Sequence, residues 1–406
     1  MSNTVLTIDM IAREALRLAH EKATFIGTIN RQFDRSWSSE GPTGNTLRIR
    51  VPSEYVRRQG SRVMDVQDST QVSTSLVVAT QDGVDMRFNS QELAQDLDNF
   101  SKLHLEPAMA TLISGIESDV LAACTKATYN FATNSITNTP SLTAISSLTA
   151  PGNARTRLNQ SLAPKGNRSI QVDSAMMASL VTGTAAYFNP ANAISEQFRE
   201  GLVARTAMAD YYENERIWGM TTISSVTLSS AKMNGYVSTN GQTSLNVTSI
   251  TQTVGIGSVF TLANVYDVHP ETKQQYLNLK QFTVTATTDA STFTFSPAIY
   301  RTGARQNVAG TGTTTSTNAV SFLGTTSATF PTALMYHRDA FTFATAELPL
   351  MADAQRCVRK TYDGLSLRVW QASDIRNDEL LTRIDILYGS AAIRPQWACR
   401  VVGTGA

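Results

Sequence analysis

From Phe282 to Thr287, apolar and threonine positions alternate, with Phe282, Val284 and Ala286 set against Thr283, Thr285 and Thr287. Phe293 and Phe295 alternate in the same way with Thr292 and Thr294. A period of two puts apolar side chains on one face of a strand and hydroxyls on the other, which predicts antiparallel β-structure. Asp289-Ala290-Ser291 between these runs, and Asn240-Gly241 ahead of Leu245 and Val247, supply hairpin turn chemistry. Elsewhere the period is helical. Leu105, Met109, Leu112, Ile113, Ile116, Val120 and Leu121 form one stripe over Leu105–Thr128, with Pro107 in the first turn, where a missing N–H costs nothing. At 1.5 Å per residue such a helix is a rod of about 36 Å. Ile8, Ile11, Ala15, Leu18 and Ala19 predict a second helix over Ile8–Ile29. Further along, the pattern gives a strand at Ser169–Val172, a helix capped by Asp173 through Leu180, and a helix at Ile194–Arg199. Strands follow at Leu365–Trp370 and Leu380–Tyr388.

One stretch has strands but no core. Leu47, Ile49 and Val51 alternate with Arg48 and Arg50, and a second strand is expected over Val72–Val78. Between them, Pro52–Gln71 carries Arg57, Arg58 and Arg62 and little to bury. This is the pattern of a long two-stranded excursion, which is marginal alone in water and needs a partner surface. Over 47–65 five arginines face Glu54 and Asp65, a local charge of 5 − 2 = +3. Arg48, Arg50, Arg57, Arg58 and Arg62 are therefore the candidate subunit-interface residues, meeting an acidic surface such as another copy of the chain. That reading ranks above a solubilising charge run. It also ranks above a nucleic-acid contact, because only Tyr55 is interleaved for base stacking.

Composition changes the domain picture. At 406 residues the chain exceeds the roughly 250–300 that one hydrophobic core supports. The 112 positions from Thr221 to Thr332 hold 8 charged residues and 39 Ser or Thr, while the other 294 hold 59 charges, about three times the density. This window is read as a compact all-β module inserted between α+β flanks, with a Gly/Thr-rich loop at Ala309–Ala319. A net charge of +1 offers no bulk basicity for nucleic acid. No uninterrupted apolar run nears the ~20 residues of a membrane span. Asp9, Arg13, Glu14 and Arg17 interrupt any secretion signal, and Cys124, Cys357 and Cys399 read as reduced thiols.

The search for chemistry is negative. His20, His104, His269 and His337 lie far apart, no Cys-x-x-Cys is present, and neither a nucleophile elbow nor a phosphate loop occurs. His337, in Met335-Tyr336-His337-Arg338-Asp339, is the best acid/base candidate and still reads as structural. Gly255-Ile256-Gly257 and Gly310-Thr311-Gly312 lack a third glycine and a following helix, so they are loop glycines. Asp96/Asp98 and Asp374/Asp378 read as caps or solvated faces. No catalytic, metal-binding or cofactor-binding residue is assigned, and none is needed for a structural protein.

The order of elements resembles the major capsid proteins of tailed phages, which have the Hong Kong 97 fold. The residues that carry the likeness are Arg87-Phe88-Asn89-Ser90-Gln91-Glu92-Leu93, then Glu106-Pro107-Ala108 into Gly115-Ile116-Glu117. Phe198-Arg199-Glu200-Gly201-Leu202-Val203-Ala204-Arg205 is a further match. Arg383-Ile384-Asp385-Ile386-Leu387-Tyr388-Gly389 with Ile393-Arg394-Pro395 is the strongest. The insertion resembles that of the coat proteins of Salmonella-type short-tailed phages. The resemblance implies an α+β Hong Kong 97-type fold with an N-terminal arm (1–45), an E-loop (46–80) and a capsid core (81–222 and 333–406). That core would comprise a peripheral domain with spine helix 105–128 and an axial domain, interrupted by an inserted β-barrel (223–332). It implies a major capsid protein that forms pentamers and hexamers in an icosahedral head shell around double-stranded DNA. The shell would be assembled in the bacterial cytoplasm with a scaffolding protein and a portal protein at one vertex, with weak contact to the packaged DNA and none to membrane. The ribbon from Arg48 to Val78 holds no lysine, so lysine–asparagine cross-linking through it is not expected. The alternative in the same fold is an encapsulin-like cargo compartment, which the insertion argues against.

Overall fold

The computed structural model describes residues 8–33, 44–60, 64, 66–67, 71–89, 104–133, 147–184, 209–221, 232–233, 240–248, 253–289, 291–310, 319–323, 329–351, 356–362 and 364–402. In chain order, α1 (Ile8–Lys22) is followed by the one-turn α2 (Phe25–Thr28). The predicted single helix over 8–29 is thus broken at Ala23-Thr24. Strands β1 (Thr46–Val51) and β2 (Val72–Val77) pair as a separate two-stranded ribbon, and β3 (Thr80–Asn89) leads towards α3 (Glu106–Ala127). All seven stripe residues from Leu105 to Leu121 are at most 6% exposed. Helix α3 has the length and composition of a membrane span, yet half of its most apolar stretch is buried inside the protein, as in a core helix.

Next come β4 (Phe131–Ala132), α4 (Thr149–Gln160), β5 (Arg168–Val172), α5 (Ser174–Thr184), β6 (Asp210–Glu213) and β7 (Gly219–Thr221). Asp173 accepts the Met176 N–H at 2.8 Å, the cap expected for α5. The β-module holds β8 (Lys232–Met233), β9 (Gln242–Thr248), β10 (Val259–Val268), β11 (Gln275–Thr287), β12 (Thr292–Ile299), β13 (Val308–Ala309) and β14 (Val320–Phe322). The chain then returns through β15 (Thr329–His337), β16 (Phe341–Ala346), β17 (Arg356–Tyr362), β18 (Leu365–Asp374), β19 (Glu379–Ala392) and β20 (Ala398–Val402). The predicted helix at Ile194–Arg199 and the match at Phe198–Arg205 lie outside the described residues, as do Ser90–Leu93 and residues 311–318 of the Gly/Thr-rich loop.

Contacts divide the chain into two compact units. The first comprises 1–49, 74–121 and 341–393. Its five-stranded sheet centres on β19, which pairs with β3 along 379–388 on one edge. Strands β18 (at 379–385) and β16 (at 387–392) share the opposite edge in tandem. Helix α1 packs on β17 and β18. Glu117 of α3, fully buried, accepts the N–H groups of Phe25 (2.7 Å) and Ile26 (3.2 Å). A carboxylate there satisfies donors that a helix start leaves unpaired, which fastens α2 to α3.

The second unit comprises 50–73, 122–340 and 394–406. One six-stranded sheet runs β4-β20-β15-β5-β6, with β7 on β15, and packs α4 and α5 through Leu158, Ile170, Met176, Leu180, Met335 and Val401. The β-module forms a seven-stranded sheet, β13-β10-β11-β12-β9-β8, with β14 on β10. Phe260 sits at its centre, ringed by Phe282, Phe293, Phe295 and Phe322 at 5.3–5.8 Å between centroids. The predicted alternation holds at Phe282, Val284, Phe293 and Phe295, all at most 2% exposed. It fails at Thr283, which is fully buried, and at Ala286, which is exposed past an irregularity in the pairing. The described pairings leave β8 at one end of the sheet and β13 and β14 at the other, so the sheet is traced as an open path.

Candidate assembly interface

Strand β1 alternates as expected. Ile49 turns inward, to a cluster with Leu76, Val78, Ala344 and Ala346, while Arg48 and Arg50 are exposed. Past the strand, Arg57 and Arg58 are also exposed, whereas Arg62 lies outside the described residues. The structure therefore places four of the five candidate arginines on the surface of one excursion. The residues between them were under-read. Tyr55 (59%), Val56 (40%), Met64 (84%) and Val66 (74%) are exposed, so the ribbon presents apolar as well as basic groups. The signal was the hydrophobic content of a segment that no predicted core element could cover. Within the ribbon, Gln67 acts as a substitute strand. Its side-chain amide accepts from the Val56 N–H at 2.8 Å and donates to the Val56 carbonyl at 2.6 Å.

The candidate chemical groups resolve into structural roles. His337 is 5% exposed, lies edge-on to Trp397 at 5.5 Å between centroids, and uses Nδ1 to accept the Asp339 N–H at 3.2 Å. Burial lowers its pKa, with Arg168 and Arg394 adding to that and Asp339 opposing it. A ring so held is a neutral packing group. His269 Nδ1 accepts the N–H groups of Glu271 and Thr272, both at 3.2 Å, as a turn residue does. His104 stacks edge-on against Phe88. Asp374 accepts from the Arg376 N–H and the Asn377 amide in the β18–β19 turn, while Asp96 and Asp98 lie outside the described residues. Among the described residues no three His, Cys, Asp or Glu side chains gather as a metal site.

Cys124 and Cys399 are buried and their thiol pKa values are pushed up by desolvation, Cys399 to about 12. Cys357, on β17, is half-buried. A thiol reagent is thus expected to titrate one cysteine, Cys357, in the native protein and all three after unfolding, since the thiolate is the reactive form. Three fast-reacting thiols in the native state would contradict the burial of Cys124 and Cys399.

The polar residues that matter most were missed because arginines and carboxylates read as surface. Arg400 on β20 is fully buried. Its guanidinium donates to the carbonyls of Gly257 (2.5 Å) and Lys126 (3.0 Å) and to Thr283 Oγ1 (3.0 Å), and it lies over the Trp218 ring. Among the described residues no carboxylate pairs with it, and burial pulls its pKa down to about 9. Lys126 stands in the last turn of α3, where unpaired carbonyls and the helix dipole favour a cation. Gly257 is required by position, because it has φ +92° and an added Cβ would meet Lys126 Cγ at 2.9 Å and Trp218 at 3.0 Å. In the first unit, Asp385 of β19 is fully buried and bonds Arg368 at 2.6 Å and Arg383 Nε at 2.9 Å. Arg368 and Asp385 are direct cross-strand partners. Gly83 faces them on β3, where a Cβ would come within 2.6 Å of Asp385 Oδ1.

Residues 220–403, which cover the β-module and the closing strands, match the family model described as P22 coat protein, gene protein 5. Over that stretch the chain is similar to the P22 coat-protein family. Arg400, Gly257, Thr283, Arg368 and Asp385 all fall inside it. The coat protein is a structural protein of the phage virion rather than an enzyme, and it builds the icosahedral head shell from copies of itself. Its α+β chain runs from an N-terminal helix through a two-stranded ribbon and a long helix to the closing strands. No curated protein matches it. Among solved structures it is similar to a chain from Mycobacterium phage Che8, at 10% identity over 93% of this chain and 90% of that one, with TM-score 0.48. A chain from the asymmetric unit of the bacteriophage PhiM1 mature capsid gives 11% identity over 95% and 90%, with TM-score 0.44. A virus-like particle from Pyrococcus furiosus gives 8% identity over 97% and 98%, with TM-score 0.42.

Proposed function

We propose that the coat protein assembles as pentamers and hexamers and that its basic ribbon is the contact laid across a neighbouring subunit. The carrying observation is the exposure of Tyr55, Val56, Met64 and Val66 beside Arg48, Arg50, Arg57 and Arg58 on an excursion that fills no core of its own. In this reading residues 1–45 are the arm and 46–80 the E-loop. Residues 81–222 and 333–406 form the core, with α3 as spine, and 223–332 form an inserted domain that curls into a barrel around Phe260. Many modest contacts repeated in a closed lattice suffice, because each subunit is held by several neighbours at once. A scaffolding protein guides assembly, a portal protein occupies one vertex, and packaged double-stranded DNA is met weakly, as a net charge of +1 suits.

The test is negative-stain electron microscopy of the chain alone and with its scaffolding protein. Closed shells tens of nanometres across, showing five- and six-fold capsomers, are expected. Arg57→Glu/Arg58→Glu is expected to leave folded subunits that no longer close shells. A monodisperse monomer under both wild-type conditions overturns the reading.

A further inference from the structure

A cleft of about 270 Å³ in the second unit is lined by Glu54 of the ribbon, Tyr129, the turn between β10 and β11, and residues 297–307. Three of its lining residues are cations. Lys280 is matched by Asp267 at 2.8 Å, both side chains at most 14% exposed, and its ammonium lies over the Tyr129 ring. Arg305 lies over the Tyr300 ring at 4.2 Å. Lys273 takes its carboxylate from outside the β-module, pairing with Glu54 at 3.5 Å.

Lys273 is also held by contacts other than that pair. Its N–H donates to the His269 carbonyl at 2.9 Å in a turn whose other N–H groups His269 Nδ1 accepts, and its backbone holds φ +59°. Its side chain is only 12% exposed, with Nζ donating to the Gln306 carbonyl at 3.3 Å. Two residues beyond Glu54, the Gln67 amide closes on Val56. A cation held in a rigid turn and largely shielded from water loses little freedom when a carboxylate arrives, unlike two mobile surface groups.

We propose that this cleft is the seat of the ribbon's stem, and that Glu54–Lys273 is a latch by which the coat protein's own β-module orders residues 50–60 in the unassembled subunit. The inference rests on the ribbon being the assembly contact, since ordering it in advance lowers the cost of binding a neighbour. Its test is made without assembly, so the two readings fail separately.

The measurement is the rate at which an arginine-specific protease cuts after Arg57 and Arg58 in the unassembled, full-length chain. Glu54→Gln and Lys273→Gln are each expected to speed cutting about two- to five-fold, the scale of a partly exposed ion pair. The exchange Glu54→Lys/Lys273→Glu, which adds no arginine, is expected to recover most of the protection. Protection of the wild type is expected to fall as salt is raised. Equal rates in all four proteins, or a charge exchange cut as fast as the single variants, would overturn the latch. Whether the wild type forms shells decides the assembly reading independently.

Discussion

Arg400→Ala is expected to destabilise the coat protein by about 3–5 kcal/mol, from buried acceptors left unpaired and a large-to-small cavity in the core. The loss has three sources. The buried Gly257 carbonyl and the Thr283 hydroxyl lose the Arg400 donor, and the Lys126 carbonyl, which accepts from both Arg400 and Thr283, is left with the Thr283 hydroxyl alone of the two. A large cavity opens beside Trp218 and Met220. The C-terminal end of α3 also loses the cation that met its dipole. Arg400→Lys is expected to recover only part of this, because an ammonium on a flexible stem does not match two carbonyls and a hydroxyl from three segments as the planar fork does. The sign of the pH effect follows from the depressed pKa. Between about 9 and the ordinary arginine range the unfolded chain binds more protons, so this group's contribution to stability rises with pH there and is flat at neutral pH. Urea unfolding followed by tryptophan fluorescence, with Trp218 as a reporter, checks the ranking wild type, Lys, Ala. A midpoint for Arg400→Ala equal to the wild type would show that the junction contributes nothing.

Asp385→Ala is expected to cost a comparable ~3–5 kcal/mol, through a different imbalance. Removing the carboxylate strands the Arg368 guanidinium, 5% exposed, in the interior of its sheet with the Pro349 carbonyl and the Trp370 ring as its remaining partners among the described residues. Adding Arg368→Met to Asp385→Ala should therefore restore stability relative to Asp385→Ala alone, since a buried ion pair can be exchanged for apolar packing while half of one cannot stand. If the double variant is less stable than the single, the stranded charge is not the cause. Arg383, whose pKa is raised by its hydrogen bond to Asp385, should lose its order in the same variant.

Local pattern carried much of the architecture. The stripe from Leu105 to Leu121 needs only a period of 3.6 to declare a long helix, and the Phe/Thr alternation needs only a period of two. The drop in charge between Thr221 and Thr332 marked the β-module for a related reason, as its strands are spaced by hydroxyls where the flanks use ions. The exposure of Arg48, Arg50, Arg57 and Arg58 was legible because the segment carries no core of its own. Short apolar strands such as Thr329–His337 and Phe341–Ala346 were not, because they are buried on both faces and carry no period.

What the tertiary structure alone decided is where the polar residues went. Thr283 belongs to the solvent face by its period, yet it is buried because Lys126 and Arg400, 157 residues before and 117 after it, close over it. Arg400, Glu117 and Asp385 look like surface residues one at a time. Each is interior because its partner, a helix end, an unpaired N–H or a cross-strand arginine, comes from another element of the fold. Apolar burial follows from a side chain's own chemistry and its local repeat. Burial of charge depends on a partner being present, and only the fold supplies one.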